Sequence, residues 1–220
     1  MPRVAIGDMI YHVLNRANGR LQIFRTDKEY QHFTELLSEA KELTGMRILG
    51  YCIMPNHWHL ILYPKKDTDM SEFMRWLTTT HVRQRRVATK SIGHGHLYQG
   101  TYKSFPVEED KHLVDLLRYV EQNPLRANLV DRSEDWKYSS LYRRQKGTPK
   151  EKKLLAPLPT RLPANYLASV NEVYNKDVLT KIRYSVNKSA PFGGDKWTGK
   201  MISEHKLEST QRGPGRPKKR

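Results

Sequence analysis

Apolar and polar positions change period several times along the chain, and each change marks an element. Residues 10–14, Ile-Tyr-His-Val-Leu, form a short strand-like run, and the turn-rich basic segment Asn15-Arg-Ala-Asn-Gly-Arg20 follows as a loop. After Asp27, a helix-capping residue type, apolar residues recur at Tyr30, Phe33, Leu36, Leu37 and Ala40. That spacing predicts a helix to about residue 43, stopped by Gly45. Two apolar runs, 47–53 and 57–63, flank Pro55-Asn56 and predict an antiparallel hairpin. Asp69 or Ser71 opens a second helix over about 72–87, with Phe73, Trp76, Leu77 and Val82 on one side. Beyond a Gly/His loop at 90–96, residues 99–107 read as a fourth, partly exposed strand. Residues 109–122 read as a third helix with Leu113, Leu116, Leu117 and Val120 apolar, ended by Asn123-Pro124, with one more turn over 125–130. The order β-α-β-β-α-β-α predicts an α+β protein. It would hold a small antiparallel sheet with helices packed on it, close to a split βαβ arrangement.

After about residue 142 the pattern loosens. Residues 145–153 read as a linker, and 154–186 carry scattered apolar residues with one helix expected over about 170–184. The end, Gln211-Arg-Gly-Pro-Gly-Arg-Pro-Lys-Lys-Arg220, has the composition of a segment that orders only on a partner. This divides the chain into a domain over 1–145, a partly helical extension over 146–210 and a basic tail over 211–220.

Charge changes the picture. The chain carries a formal net charge of +16 and 37% hydrophobic residues, which fits a folded body with a polar appendage and an affinity for polyanions, nucleic acid first. No long apolar run, basic amphipathic helix or signal-peptide-like start supports a membrane or secreted role. Cys52 is single, sits in an apolar run and reads as a core residue, so a reducing cytoplasm is the expected compartment, with nucleoid association following from the charge.

Candidate chemistry centres on His57-Trp58-His59 at the start of the third strand. Side chains alternate along a strand, so both imidazoles share a face, as half of a divalent metal site. On the third helix Tyr119 and Asn123 are four apart and lie on one face. A phenol and an amide oxygen beside a hard ion such as Mg²⁺ or Mn²⁺ suit phosphoryl transfer. By chemistry alone Tyr98 and Tyr102 are rival nucleophiles. His94 and His96 repeat the His-x-His spacing in a Gly-flanked loop, where solvated histidines are expected. His12 either reaches the sheet face near the site or fills the core.

Residues about 8–145 resemble the REP-associated tyrosine transposases, within the single-tyrosine HUH nucleases. The matching blocks are Tyr11-His-Val-Leu-Asn-Arg16, Met54-Pro-Asn-His-Trp-His59 and Tyr119-Val-Glu-Gln-Asn-Pro-Leu-Arg-Ala-Asn-Leu-Val130. The resemblance implies a ferredoxin-like fold, a divalent ion, and cleavage and joining of single-stranded DNA beside a hairpin. It places the metal ligands on His57 and His59 and the nucleophile on Tyr119. The wider class often has Gln four residues after the tyrosine; here that position is Asn123, with the adjacent Gln122 second as the third ligand. Pro191-Phe-Gly-Gly-Asp-Lys-Trp197 resembles the family's C-terminal extension. Asn15, Arg16, Asn18 and Arg20 form either a DNA-reading loop or an ordinary polar turn. Arg83, Arg85 and Arg86 form a phosphate-contacting helix end or a solvated one. Arg216, Lys218 and Lys219 flank an AT-hook-like Gly-Arg-Pro suited to a narrow minor groove. The expected partners are single-stranded and hairpin DNA, with the protein a monomer or homodimer. A non-catalytic binder of structured nucleic acid and a metal-dependent hydrolase that uses water are the competing readings.

Overall fold

A computed structural model describes residues 5–91, 93 and 95–211. Strands β1 (Ile10–Arg16), β2 (Arg47–Met54), β3 (His57–Tyr63) and β4 (Lys103–Val107) form one sheet in the order β2-β3-β1-β4, every neighbouring pair antiparallel. Helix α1 (Asp27–Thr44) connects β1 to β2, and α2 (Asp69–Ala88) connects β3 to β4. Each connection skips one strand, so two split βαβ units interlock. The class is α+β and the sheet is ferredoxin-like, as expected.

Helices cover both faces of the sheet. Tyr11, Val13, Trp58, Leu60 and Leu62 face α1 and α2, where Phe33, Leu37, Phe73 and Leu77 complete one core. Ile10, Cys52, Ile61 and Phe105 face α3 (Lys111–Glu121) and its Leu113, Leu116, Leu117 and Val120. Period-two alternation therefore sends Trp58 to the first core and leaves His57 and His59 on the α3 face.

The remaining helices are α4 (Asn123–Arg126), α5 (Ser140–Lys146), α6 (Pro149–Lys152), α7 (Tyr166–Asn171), α8 (Lys176–Lys188) and α9 (Asp195–Glu204). Tyr166, Val170, Tyr174, Ile182 and Phe192 join the second core, on the outer side of α3. Both outer strands are bonded by this later chain. On β2, Ile53 N–H donates to the Tyr138 carbonyl at 3.0 Å, and the Ile48 carbonyl accepts from Ala156 N–H at 2.8 Å. On β4, Phe192 N–H donates to the Pro106 carbonyl and its carbonyl accepts from Glu108 N–H, both at 2.9 Å.

Several boundaries differ from the sequence reading, each for a local reason. Thr26, not Asp27, caps α1: its hydroxyl accepts from Glu29 N–H while the Glu29 carboxylate accepts from Thr26 N–H at 3.1 Å. Gly45 ends the helix at φ +69°, as expected of a left-handed cap. Asp69 lies inside α2 and braces the turn before it, accepting from Lys65 and Lys66 N–H at 2.9 Å. β4 is shorter than the apolar pattern, because the chain before it meets β1 through isolated contacts and not a continuous ladder: a bridge between Tyr98 and Ala17, and Gln99 N–H donating to the Arg16 carbonyl at 2.9 Å. The expected linker 145–153 holds α6, with Pro149 in its first turn and a Thr148–Glu151 capping box. The single helix expected over 170–184 is two, because Asn175 caps α8 afresh. Pro124 does not simply end α3; it sits in the first turn of α4. The tail 212–220, with Arg216, Lys218 and Lys219, lies outside the described residues, as does His94. Among the described residues no helix is long and apolar enough to cross a membrane.

Gly50 sets how closely α3 approaches the sheet. A Cβ there would lie 2.7 Å from Leu117 Cδ2 and 3.3 Å from Ser140 Oγ. The pairing of β2 with β3 also shifts register between Ile48 and Gly50. A methyl group at this point must push Leu117, and with it the helix that carries Tyr119. Gly50→Ala is expected to destabilise the protein by about 1–3 kcal/mol, the usual cost of overpacking, read as a lower urea midpoint at unchanged slope.

Candidate active site

The turn before β3 is clamped from outside. The Pro55 carbonyl accepts from Ile23 and Phe24 N–H at 2.8 and 3.0 Å, and the Asn56 carbonyl accepts from Ala17 N–H at 2.8 Å. Trp58 anchors the strand on its other face: its indole N–H donates to the Tyr98 hydroxyl at 3.0 Å, which lies 2.7 Å from His81 Nδ1 on α2. With Trp58 fixed, the flanking imidazoles are aimed at α3.

His57 and His59 have ring centroids 5.0 Å apart. His57 Nδ1 lies 2.6 Å from Asn56 Oδ1, and His59 Nδ1 lies 2.9 Å from Nε2 of the fully buried His12 on β1. The Nδ1 atom of each ring is therefore engaged, which leaves Nε2 as the remaining donor on both. Burial, then the Arg16 and Arg126 charges, lowers the His57 pKa to about 4. Burial, then His57, His12 and the two arginines, holds His59 well below the ordinary range. Both rings are neutral at pH 7, as metal ligation requires. A ligating His59 must carry its proton on Nδ1 and donate it to His12 Nε2, which moves the His12 proton to Nδ1. That atom is buried and unpartnered among the described residues.

Tyr119 comes from α3, whose N-terminus is capped by Asp110. Its ring meets His59 edge-on, with centroids 6.0 Å apart at 89°, and His12 at 6.5 Å and 82°. The structure thus brings His57, His59 and Tyr119 together. Asn123 lies one turn on: its Nδ2 donates to the Tyr119 and Val120 carbonyls at 3.0 and 3.2 Å, and its Oδ1 accepts from Arg126 Nη2 at 2.9 Å. Gln122 turns the other way, donating to the Val170 and Glu172 carbonyls at 2.8 and 2.6 Å. Tyr98 belongs to the opposite core and Tyr102 lines a groove there, so neither rival tyrosine shares the sheet face that Tyr119 packs on. Cys52 is buried and its thiol pKa is raised by burial, in keeping with a core role.

The outer face of α3 is tied down just as firmly. Glu121, with no exposure, accepts from Ser140 Oγ at 2.5 Å and the Tyr166 hydroxyl at 2.7 Å, and it pairs with Arg144. Arg118 donates to the Glu172 and Val173 carbonyls at 3.2 Å and lies over the Tyr174 ring.

Two residues near the site went unnoticed in the sequence reading, Asn56 and Arg126; His12, left there between the sheet face and the core, is buried on the sheet face as the partner of His59. Arg126 Cζ is 4.3 Å from the Tyr119 ring centroid. The seven-residue spacing from Tyr119 places both on one helical face, a signal hidden by ending the helix at Asn123.

Glu108, Asp110 and His112 also cluster closely enough to hold an ion. Their atoms already have internal partners. Glu108 accepts from Gly194 N–H at 2.7 Å, and Asp110 accepts from His112 N–H, with the His112 ring also 2.7 Å away.

The expected DNA-contacting residues fall into two groups. Arg16, Asn18, Arg20 and Arg83 are exposed. Arg85 is paired with Glu29 at 2.5 Å, Arg86 donates to the Ser91 carbonyl at 2.8 Å, and nearly buried Asn15 braces the loop through the Gly100 carbonyl at 3.4 Å. A groove of about 1120 Å³ runs past Asn15, Arg75, Thr78, Arg83, Arg86 and Tyr102.

Residues 5–123 match the family model Transposase IS200 like. The chain belongs to this family. Among its relatives is a Haemophilus influenzae protein named as a REP-associated tyrosine transposase, 27% identical over 132 residues, or 53% of this chain and 75% of the relative. A solved structure of a REP-associated tyrosine transposase bound to a REP hairpin shares the fold, with a TM-score of 0.55 and 20% identity over 74% of this chain and 94% of the other. Transposases cut and join DNA, so family membership makes this chain an enzyme.

Buried histidines are expected to make the protein acid-sensitive. His12 and His81 are each lowered from about 6.5 to about 3, chiefly by burial. Below pH 6.5 the unfolded chain binds protons that the folded one excludes. Stability should therefore be greatest above about pH 6.5 and fall continuously toward pH 3, by a few kcal/mol in all. Urea unfolding across that range tests this, and His81→Phe should flatten the slope.

Proposed function

We propose that this protein is a metal-dependent endonuclease and strand transferase acting on single-stranded DNA beside REP-type hairpins. The cut strand would be held as a 5′-phosphotyrosine on Tyr119. The observation that carries the reading is the edge-on approach of Tyr119 to the His57–His59 pair from a separate element, 6.0 Å between ring centroids. The matching family and the hairpin-bound structural relative support it.

The donor set suits a hard divalent ion. Two neutral imidazoles offer Nε2, and Asn123 offers an amide oxygen on the Tyr119 face; Gln122 faces the extension instead. His57, His59 and Asn123 would hold Mg²⁺ or Mn²⁺. Such an ion, when bound, polarises the scissile phosphate and stabilises charge developing on it.

The chain's own residues do the rest. Tyr119 Oη attacks phosphorus, the bond to the 3′ oxygen breaks, and the 3′ strand leaves as a hydroxyl. A 3′ hydroxyl from another strand then attacks the phosphotyrosine and restores the phenol. One phosphate ester replaces another at each step, so the joining energy is conserved. His12 and Asn56 fix the imidazole tautomers. The rigid seat of α3 keeps the nucleophile within reach, where small displacements are costly. Arg16, Asn18, Arg20 and Arg83 are positioned to contact the strand, with Asn15, Arg85 and Arg86 bracing the surfaces that present them. Arg216, Lys218 and Lys219 of the tail add sequence-tolerant affinity that weakens with salt.

The test is a labelled hairpin oligonucleotide with single-stranded flanks drawn from genomic repeats, incubated with Mn²⁺ and resolved under denaturing conditions. A covalent protein–DNA adduct is expected. It should be absent in Tyr119→Phe and reduced at least about 100-fold in His57→Ala and His59→Ala. Cleavage without an adduct would instead mean attack by water. Binding without cleavage would leave a structured-DNA binder.

A further inference from the structure

Arg126 is placed where a divalent ion is least welcome. Its guanidinium lies over the Tyr119 ring, 4.3 Å from centroid to Cζ. Its Nη2 donates to Asn123 Oδ1 at 2.9 Å and reaches toward the Tyr119 carbonyl at 3.4 Å. Its Nη1 is buried and has no hydrogen-bond partner among the described residues. A second cation, Arg16, stands opposite His57 in the β1–β3 ladder. The ligands themselves, two imidazoles and one amide, are neutral. A bare divalent ion would enter a site already positive and would compete with Arg126 for Asn123 Oδ1.

Two features of this arrangement call for an anion. A buried guanidinium N–H without an acceptor is unfavourable until something supplies one. A phosphodiester oxygen supplies an acceptor and a negative charge together, and guanidinium geometry suits it. With Arg126 drawn to that oxygen, Asn123 Oδ1 is released.

We propose that Arg126 binds the scissile phosphodiester and couples metal to DNA, so that the ion enters tightly only with the phosphate in place. In the free protein Arg126 occupies the third ligand and repels the ion; in the complex it holds the phosphate and frees Asn123. The ligand recognised is a phosphodiester of single-stranded DNA at the cleavage position. This inference rests on the reading of His57, His59 and Asn123 as metal ligands and Tyr119 as nucleophile.

The experiment measures Mn²⁺ affinity by the electron paramagnetic resonance signal of free Mn²⁺, in a Tyr119→Phe background so that no DNA is cut. Without DNA, Arg126→Met should raise Mn²⁺ affinity about tenfold, and Arg126→Lys should stay within about twofold of the parent. Addition of the hairpin oligonucleotide that forms the Tyr119 adduct should raise Mn²⁺ affinity at least about tenfold with Arg126 present and less than about threefold in Arg126→Met. If Arg126→Met does not fold by circular dichroism, Arg126→Gln replaces it with the same expectations. Unchanged or weaker Mn²⁺ binding in the free variant, or equal tightening by DNA in parent and variant, overturns the role of Arg126. A His57→Ala/His59→Ala double variant separates the two levels. If it binds Mn²⁺ as the parent does, the metal-site reading itself falls; if it loses Mn²⁺ while Arg126→Met gains nothing, only the coupling falls.

Discussion

A carboxylate sealed from solvent, two residues beyond Tyr119, determines where α3 lies. Glu121 is held by Ser140 and Arg144 of α5 and by Tyr166 of α7. A charge buried this deeply is tolerable only while its partners are in place, so each of those elements is bound to the position of α3. A helix rotates about 100° for each residue it slips, and one step would carry Tyr119 off the histidine face. The chain after residue 135 is thereby part of what holds Tyr119 against the histidines.

The two sides of α3 follow opposite electrostatic rules. On the outer side a buried negative charge is fully partnered. On the inner side three imidazoles are kept neutral by burial, with Arg16 and Arg126 at the margin. Neutral imidazoles are available to a metal at physiological pH, and the marginal cations are available to a polyanion. The net charge of +16 continues the same preference over the whole molecule. The fold therefore separates the group that locks the helix from the groups proposed to meet the substrate.

Much of this was readable from residue order. Strand alternation alone put His57 and His59 on one face and Trp58 on the other, and the split βαβ order followed from where period two gave way to period 3.6. The helical spacing of Tyr119 and Asn123 was equally plain. What the pattern could not show was contact between elements distant in sequence. His12 sits in an ordinary apolar alternation, and its bond to His59 depends on β1 pairing with β3 in one particular register. Arg126 was hidden by a proline that reads as a stop but begins a new turn. The arginines of α2 read alike in sequence, yet Glu29 takes Arg85, Arg86 secures a loop, and Arg83 is left exposed. Composition around residues 145–153 says loop, because capping boxes are built from the same residues as loops.

The segments bonded along β2 and β4 carry a consequence for how copies of this chain can meet. A sheet with a bare outer strand is a template on which a second molecule can pair or aggregate. Here residues 138, 156 and 192 occupy backbone positions on the two outer strands. Intermolecular sheet extension is thus obstructed on both sides, and self-association would have to proceed through side chains on a helical or loop surface. The polypeptide that steadies Tyr119 also protects the sheet from its own kind.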